Sequence, residues 1–135
     1  MDNQQDADEM IKMIVDHMEN GFLENIVDLF KHDKSYFPFI GTMLGDERMG
    51  VRIGTMALVE TLKTQDLENV LIAVPGIARL LKDQSPNIRG DAAYLLGIIG
   101  HENGLPYLNE ALNDEDLLVR ETVEEAISAI KEADA

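Results

Sequence analysis

One spacing, repeated three times along the 135 residues, constrains the fold of this chain more than any other feature. Pro38, Pro75 and Pro106 are each followed eight residues later by an aspartate (Asp46, Asp83, Asp114) and six residues beyond that by an arginine (Arg52, Arg89, Arg120). The residue before each arginine is β-branched and apolar: Val51, Ile88 or Val119. Ile40, Ile77 and Leu108 align ahead of the aspartates, as do Leu44, Leu81 and Leu112; behind the arginines Val59, Leu96 and Ile127 align, and so do Leu62, Ile99 and Ile130. The second and third copies are 31 residues apart and the first two 37, because Lys63 to Val74 holds an insertion of six. A unit this short cannot bury its own apolar face, so successive units must stack.

The periodicity within and around the copies is helical. Met10, Ile11, Ile14 and Met18, then Phe22, Leu23, Ile26, Val27 and Phe30, recur at the three-and-four spacing of one helix face, with Asp6 and Glu9 placed as a capping box. Asn20-Gly21 breaks this stretch into a hairpin. Further helices are predicted over 36–44, 49–64, 66–73 running into 75–82, 86–99, 104–112 and 116–132. Turn chemistry separates them: Gly45-Asp46, Ser85-Pro86-Asn87 with Ser85 as cap, Gly100 to Gly104, and Asn113-Asp114. No stretch reads as strand. The expected class is all-α, a short α-solenoid in one domain, with an N-terminal helical hairpin (1–34) capping repeats at 35–65, 66–101 and 102–135.

A proline early in the first helix, an aspartate in the tight turn and Val/Ile-Arg opening the second helix together resemble the HEAT repeat; the short period resembles its phycocyanobilin-lyase-like subclass. Ile88-Arg89-Gly90-Asp91-Ala92-Ala93-Tyr94-Leu95-Leu96-Gly97 carries the likeness best, and it extends over residues 36–132. The resemblance implies that Asp46, Asp83, Asp114, Arg52, Arg89 and Arg120 form a structural ladder between neighbouring repeats. It also implies that second helices line a concave binding face. Alternatively, the three arginines form an anion-binding row, since a guanidinium fork suits phosphate.

Composition narrows the function. There are 26 acidic and 11 basic side chains, a formal charge of −15, with 45% hydrophobic residues. That field repels nucleic acid and anionic membrane, whose binding relies on basic side chains. With no cysteine there is no disulfide, thiolate nucleophile or thiolate metal site. No apolar run is long enough to span a bilayer, and the acidic start is unlike a secretory signal, so a cytoplasmic location is expected. Residues 1–36 and 101–135 carry −6 and −8, while the middle is nearly neutral and is where contact surface is expected.

Two catalytic members of the fold class frame the enzymatic alternatives. In deoxyhypusine hydroxylase, His-Glu pairs directly after the Val-Arg position hold iron; here those positions read Ile53-Gly54, Gly90-Asp91 and Glu121-Thr122, and the one His-Glu, His101-Glu102, falls in a predicted loop. His17 lies near the turn of the first hairpin and His32 at its far end, about 15 Å away at 1.5 Å per residue, and neither clusters with a third ligand. In a bilin lyase or other tetrapyrrole-handling subunit, the runner-up reading, a chromophore would be handled; yet Ser35, Ser85 and Ser128 have no base beside them and read as caps or surface positions. No catalytic residue, cofactor or metal is expected. Met10, Met13, Met18, Met43, Met49 and Met56 fall at core spacing, with Met49 as a possible surface anchor.

The expected function is therefore a non-catalytic protein-protein interaction module or scaffold. With Thr55, Ala92 and Val123 at the core centre of each second helix, 100° per residue turns three rows outward: Ile53, Gly90, Glu121; Ala57, Tyr94, Glu125; Glu60, Gly97, Ser128. The stripe grades from apolar to acidic, so the matching partner is another protein with a basic or mixed apolar-basic segment. Tyr94 between two glycines is read as its open anchor, with a core aromatic as the alternative. The chain itself is expected to be a monomer or weak homodimer, the latter if an uncapped last repeat exposes apolar surface.

Overall fold

The computed structural model describes residues 3–133, and among them no strand occurs. The N-terminal hairpin is α1 (Asn3–Glu19) and α2 (Leu23–His32), joined where Gly21 takes a left-handed φ of 87°. α1 begins three residues before Asp6, so Asp6 and Glu9 lie inside the helix and the expected capping box is not formed; Asp6 instead complements the helix dipole from the first turn.

The three first helices are all broken. A 3₁₀ turn (Lys34–Phe39) containing Pro38 leads into α3 (Ile40–Leu44). The insertion forms α5 (Leu67–Val70) and a 3₁₀ turn, after which α6 (Val74–Arg79) starts with Pro75 in its first turn and ends in another 3₁₀ turn. In the third copy a 3₁₀ turn precedes α8 (Leu105–Glu110), again with proline in the first turn. Proline lacks an N–H and is accepted there because first-turn donors have no intrahelical acceptor. The second helices are long and unbroken: α4 (Met49–Gln65), α7 (Pro86–Ile99) and α9 (Leu117–Ala133). Gly100, at φ 70°, closes α7, and Ser85 precedes it without a side-chain capping bond.

The elements stack in two layers. α1, α4, α7 and α9 lie side by side in one; α3, α6 and α8 follow one another in the other, each packed on its own second helix. A single apolar core runs from Ile14 to Ile130 through both. Thr55, Ala92 and Val123 are fully buried at the centres of the second helices. The architecture is an all-α solenoid.

The two seams between repeats are wedged in opposite senses. In the first-helix layer α3 and α6 touch backbone to backbone: a Cβ built on Gly41 would stand 2.7 Å from the Gly76 carbonyl carbon and oxygen. The aligned pair at the next seam is Ala78 and Tyr107, and α6 and α8 scarcely meet. In the second-helix layer the tight seam is α7 against α9, where a Cβ on Gly97 would lie 3.0 Å from Ala126. The positions aligned with Gly97 and Ala126 one repeat earlier carry Glu60 and Leu95, and α4 and α7 pack more loosely. Residue size at two aligned positions thus decides where each seam closes.

Candidate functional site

The repeated aspartates and arginines do the same two things in every copy. Each carboxylate accepts the backbone N–H two residues on (Arg48, Ser85 and Asp116, each at 2.9 Å), which fixes the turn between the helices. Each arginine Nη1 donates back to the carbonyl of its own aspartate, at 2.8, 2.9 and 2.7 Å for Arg52, Arg89 and Arg120. The bonds between repeats are less regular than the expected ladder. Arg89 reaches the next aspartate, Asp114, through Nε at 2.9 Å and Nη2 at 3.1 Å. Arg52 reaches Asp91 rather than Asp83, at 3.1 Å. Asp83 and Asp46 therefore correct that expectation: the Asp83 carboxylate serves its own turn, and that of Asp46 is taken by Arg48 at 2.9 and 3.1 Å. Arg120 bonds the Asp114 carbonyl and, among the described residues, no carboxylate.

Charge is settled locally by these contacts. Burial pushes the Asp114 carboxyl up, but the Arg89 hydrogen bonds, the Asp116 N–H and the charges of Arg89 and Arg120 outweigh it and hold it below its usual value. The Arg89 guanidinium is correspondingly raised by Asp114. Arg48, at the turn before α4, also reaches Asp16 at 3.1 Å and Glu19 at 3.4 Å on α1, pinning the N-terminal hairpin to the first repeat. It holds Asp46 below the ordinary carboxylate range, and Lys12 and Arg48 together do so for Asp16. With Arg52 and Arg89 nearly buried and committed to protein acceptors, they offer no free anion-binding row.

The outward stripe of the second helices is divided among three shallow depressions. Gly90 and Tyr94 share one of about 320 Å³ with Asn87, Asp116 and Leu118. Tyr94 is 52% exposed and Leu118 71%. Nothing stands within 4 Å of a Cβ added at Gly90, so that side of the tyrosine ring is open. Gly97 is different: its missing Cβ is filled by Ala126, and it is a helix crossing rather than a gap beside Tyr94. A second depression holds Glu121, Glu125 and Ser128 together with Glu124 and Glu132. The third groups Glu60 and Gly97 with Lys63, whose ammonium donates to the Ile98 carbonyl at 2.6 Å. Ile53, 57% exposed, and the half-buried Ala57 lie outside these three. Met49 is exposed one turn before Ile53.

Leu118 was not among the residues singled out from sequence. It aligns with Gly50 and Asn87, one turn ahead of the row Ile53, Gly90, Glu121, so the same 100° arithmetic extended backwards reaches it. A hollow of about 550 Å³ between α6 and α8 lies likewise away from the second-helix stripe and has no counterpart in the sequence periodicity.

No three His, Cys, Asp or Glu side chains among the described residues stand together so as to hold a metal ion. His17 and His32 each bond a carbonyl of their own helix through Nδ1, and His101 Nδ1 accepts the Asn103 N–H at 3.1 Å. No described helix is long and apolar enough to cross a membrane.

Comparison with known proteins agrees with the geometry. A family model described as HEAT repeats matches residues 74–135. The chain is also similar to a deoxyhypusine hydroxylase of Neurospora crassa, 27% identical over 121 residues. That match takes in 88% of this chain but only 32% of the relative, so the chain spans about a third of its length.

Proposed function

We propose that this chain is a non-catalytic protein-interaction module that docks a partner segment on the outward face of its second helices. The observation that carries the reading is Tyr94: a large aromatic left half exposed, in a depression that it shares with the exposed Leu118 and with Gly90, which has open space where a side chain would be. A tyrosine so placed buries a large area on docking for little side-chain entropy. Glu121, Glu124, Glu125 and Glu132 continue the face along α9, so the fitting partner presents an apolar segment followed by lysines or arginines. A cytoplasmic location and a monomeric or weakly dimeric state belong to this reading.

The test begins with affinity capture from native lysate and identification by mass spectrometry, followed by titration of the captured partner. Tyr94→Ala is expected to cost about 2 kcal/mol or more of affinity. Glu125→Lys is expected to slow association and to remove part of its salt dependence. Both variants keep the parent's helicity. Equal binding by parent and both variants would overturn the second-helix face and favour the acidic ends.

The likeness to a deoxyhypusine hydroxylase favours one second reading, that the chain is a substrate-docking portion of a hydroxylase-like assembly. Titration of this chain with a deoxyhypusine-bearing peptide and with its unmodified lysine counterpart tests it; binding that requires the modification would favour this reading, and equal binding or none would remove it. The bilin-lyase alternative is tested by mixing the chain with free bilin, where an absorbance shift would favour it.

A further inference from the structure

The slot between α6 and α8 exists because Ala78 and Tyr107 stand where the neighbouring seam has two glycines. Ala78, Leu81, Tyr107 and Ala111 give it apolar walls, and at about 550 Å³ it has the volume of a side-chain or small-ligand pocket. Its rim is unusual for a chain of net charge −15: Arg79 and Lys82, one turn apart, both border it. Among the described residues neither side chain has a hydrogen bond or ion pair; Lys31, Lys34 and Lys131 are free as well but lie away from the slot, whereas Lys12, Arg48, Arg52 and Arg89 are held in ion pairs and Lys63 and Arg120 by carbonyls. Of the two carboxylates at the slot, Asp114 is already neutralised by Arg89, leaving Glu110 against two free cations. Two uncommitted cations beside an apolar cleft form an anchor-and-clamp arrangement, in which the cleft takes a bulky side chain and the cations its carboxylate neighbours.

We propose that this slot is a second docking site, for a partner-protein segment carrying a leucine- or phenylalanine-sized side chain next to aspartates or glutamates. It lies on the first-helix layer and selects the charge opposite to that expected of the Tyr94 face, so the two sites take different segments. The occupant's acidity follows from the rim, and its bulky side chain follows from the depth between Ala78 and Tyr107. The slot does not depend on the reading of Tyr94.

The experiment uses the isotope-labelled full chain and three synthetic peptides: one with leucines and aspartates, one with lysines replacing the aspartates, and one with serines replacing the leucines. The aspartate-leucine peptide, titrated to about millimolar concentration, is expected to shift amide resonances over 75–82 and 105–114. Its affinity is expected to fall by about tenfold or more in Arg79→Glu/Lys82→Glu and to stay unchanged in Tyr94→Ala, which keeps this test distinct from that of the second-helix face. Both substitutions are at exposed positions, and parent-like helicity checks that the double variant folds. Unmoved slot amides, undiminished binding by the double variant, or equal occupancy of the slot by the lysine or serine peptide would each overturn the proposal.

Discussion

Adding one methyl group at Gly41 should unseat the close backbone-to-backbone contact between α3 and α6, and adding it at the opposing Gly76 should not. A Cβ at Gly41 would meet the Gly76 carbonyl carbon and oxygen at 2.7 Å and its Cα at 3.0 Å, whereas a Cβ at Gly76 finds its nearest neighbour, the Gly41 Cα, at 3.7 Å. The obstacle at Gly41 is backbone, which cannot rotate away as a side chain does. Restoring van der Waals distance requires α3 and α6 to part by about 1 Å, and a gap of that size forfeits a quarter to a half of each contact's attraction. Ile40, Met43, Leu44 and Ile77, all fully buried, sit on these two helices. Overpacking of this kind costs about 1–3 kcal/mol, and the alanine returns about 0.5–1 kcal/mol of helix propensity. The net expectation for Gly41→Ala is a loss of about 1–2 kcal/mol, or a melting temperature lowered by about 4–8 °C for a chain of this size. Gly76→Ala keeps only the propensity gain and should melt at or above the parent. Urea unfolding of the three proteins, with coincident fluorescence and circular-dichroism transitions checking two-state behaviour, measures the differences. Parent-like stability for Gly41→Ala, or an equal drop for both variants, would refute the backbone-contact reasoning.

Alanine substitution of the repeated arginines should lower the urea midpoint in the order Arg89, Arg52, Arg120, because they donate respectively two, one and no bonds to a carboxylate of the next repeat. An Arg120→Ala midpoint as low as that of Arg89→Ala would contradict this order. The Asp114 and Asp46 carboxyls are held below their ordinary value in the folded chain, so the stability they supply is present above the ordinary carboxylate pKa and is lost as pH falls below it through the depressed folded value. Protonation also relieves the mutual repulsion of an acidic chain, so the informative comparison is between parent and Asp114→Asn: the variant should lose less stability between about pH 6 and pH 3. Gly90→Ala, entering open space, should stabilise α7 by about 0.5–1 kcal/mol, while Gly97→Ala should raise no melting temperature because its methyl meets Ala126 at 3.0 Å. A melting curve for each decides it.

The spacing of Pro, Asp and Arg was enough to determine that this chain is an all-α solenoid, since a helical pair of that length has one face that only another pair can cover. Periodicity likewise placed Thr55, Ala92 and Val123 inside and turned Tyr94, Glu121 and Glu125 outward, because an amphipathic helix fixes its own inside and outside. What the chain could not declare locally were contacts between elements distant in sequence. Which carboxylate each arginine reaches depends on how far each seam closes: Arg89 meets Asp114 across a tight second-helix seam, while Arg52, across a looser one, finds Asp91. Gly97 reads as open space in a helical projection, yet Ala126 of α9 stands 3.0 Å from where its Cβ would be. The α6–α8 slot is decided in the same way, for Tyr107 and Ala78 are ordinary residues of their own helices and hold two helices apart only once the repeats are stacked. Sequence period specifies faces; the sizes of side chains meeting across a seam specify gaps, and those sizes act only in the folded array.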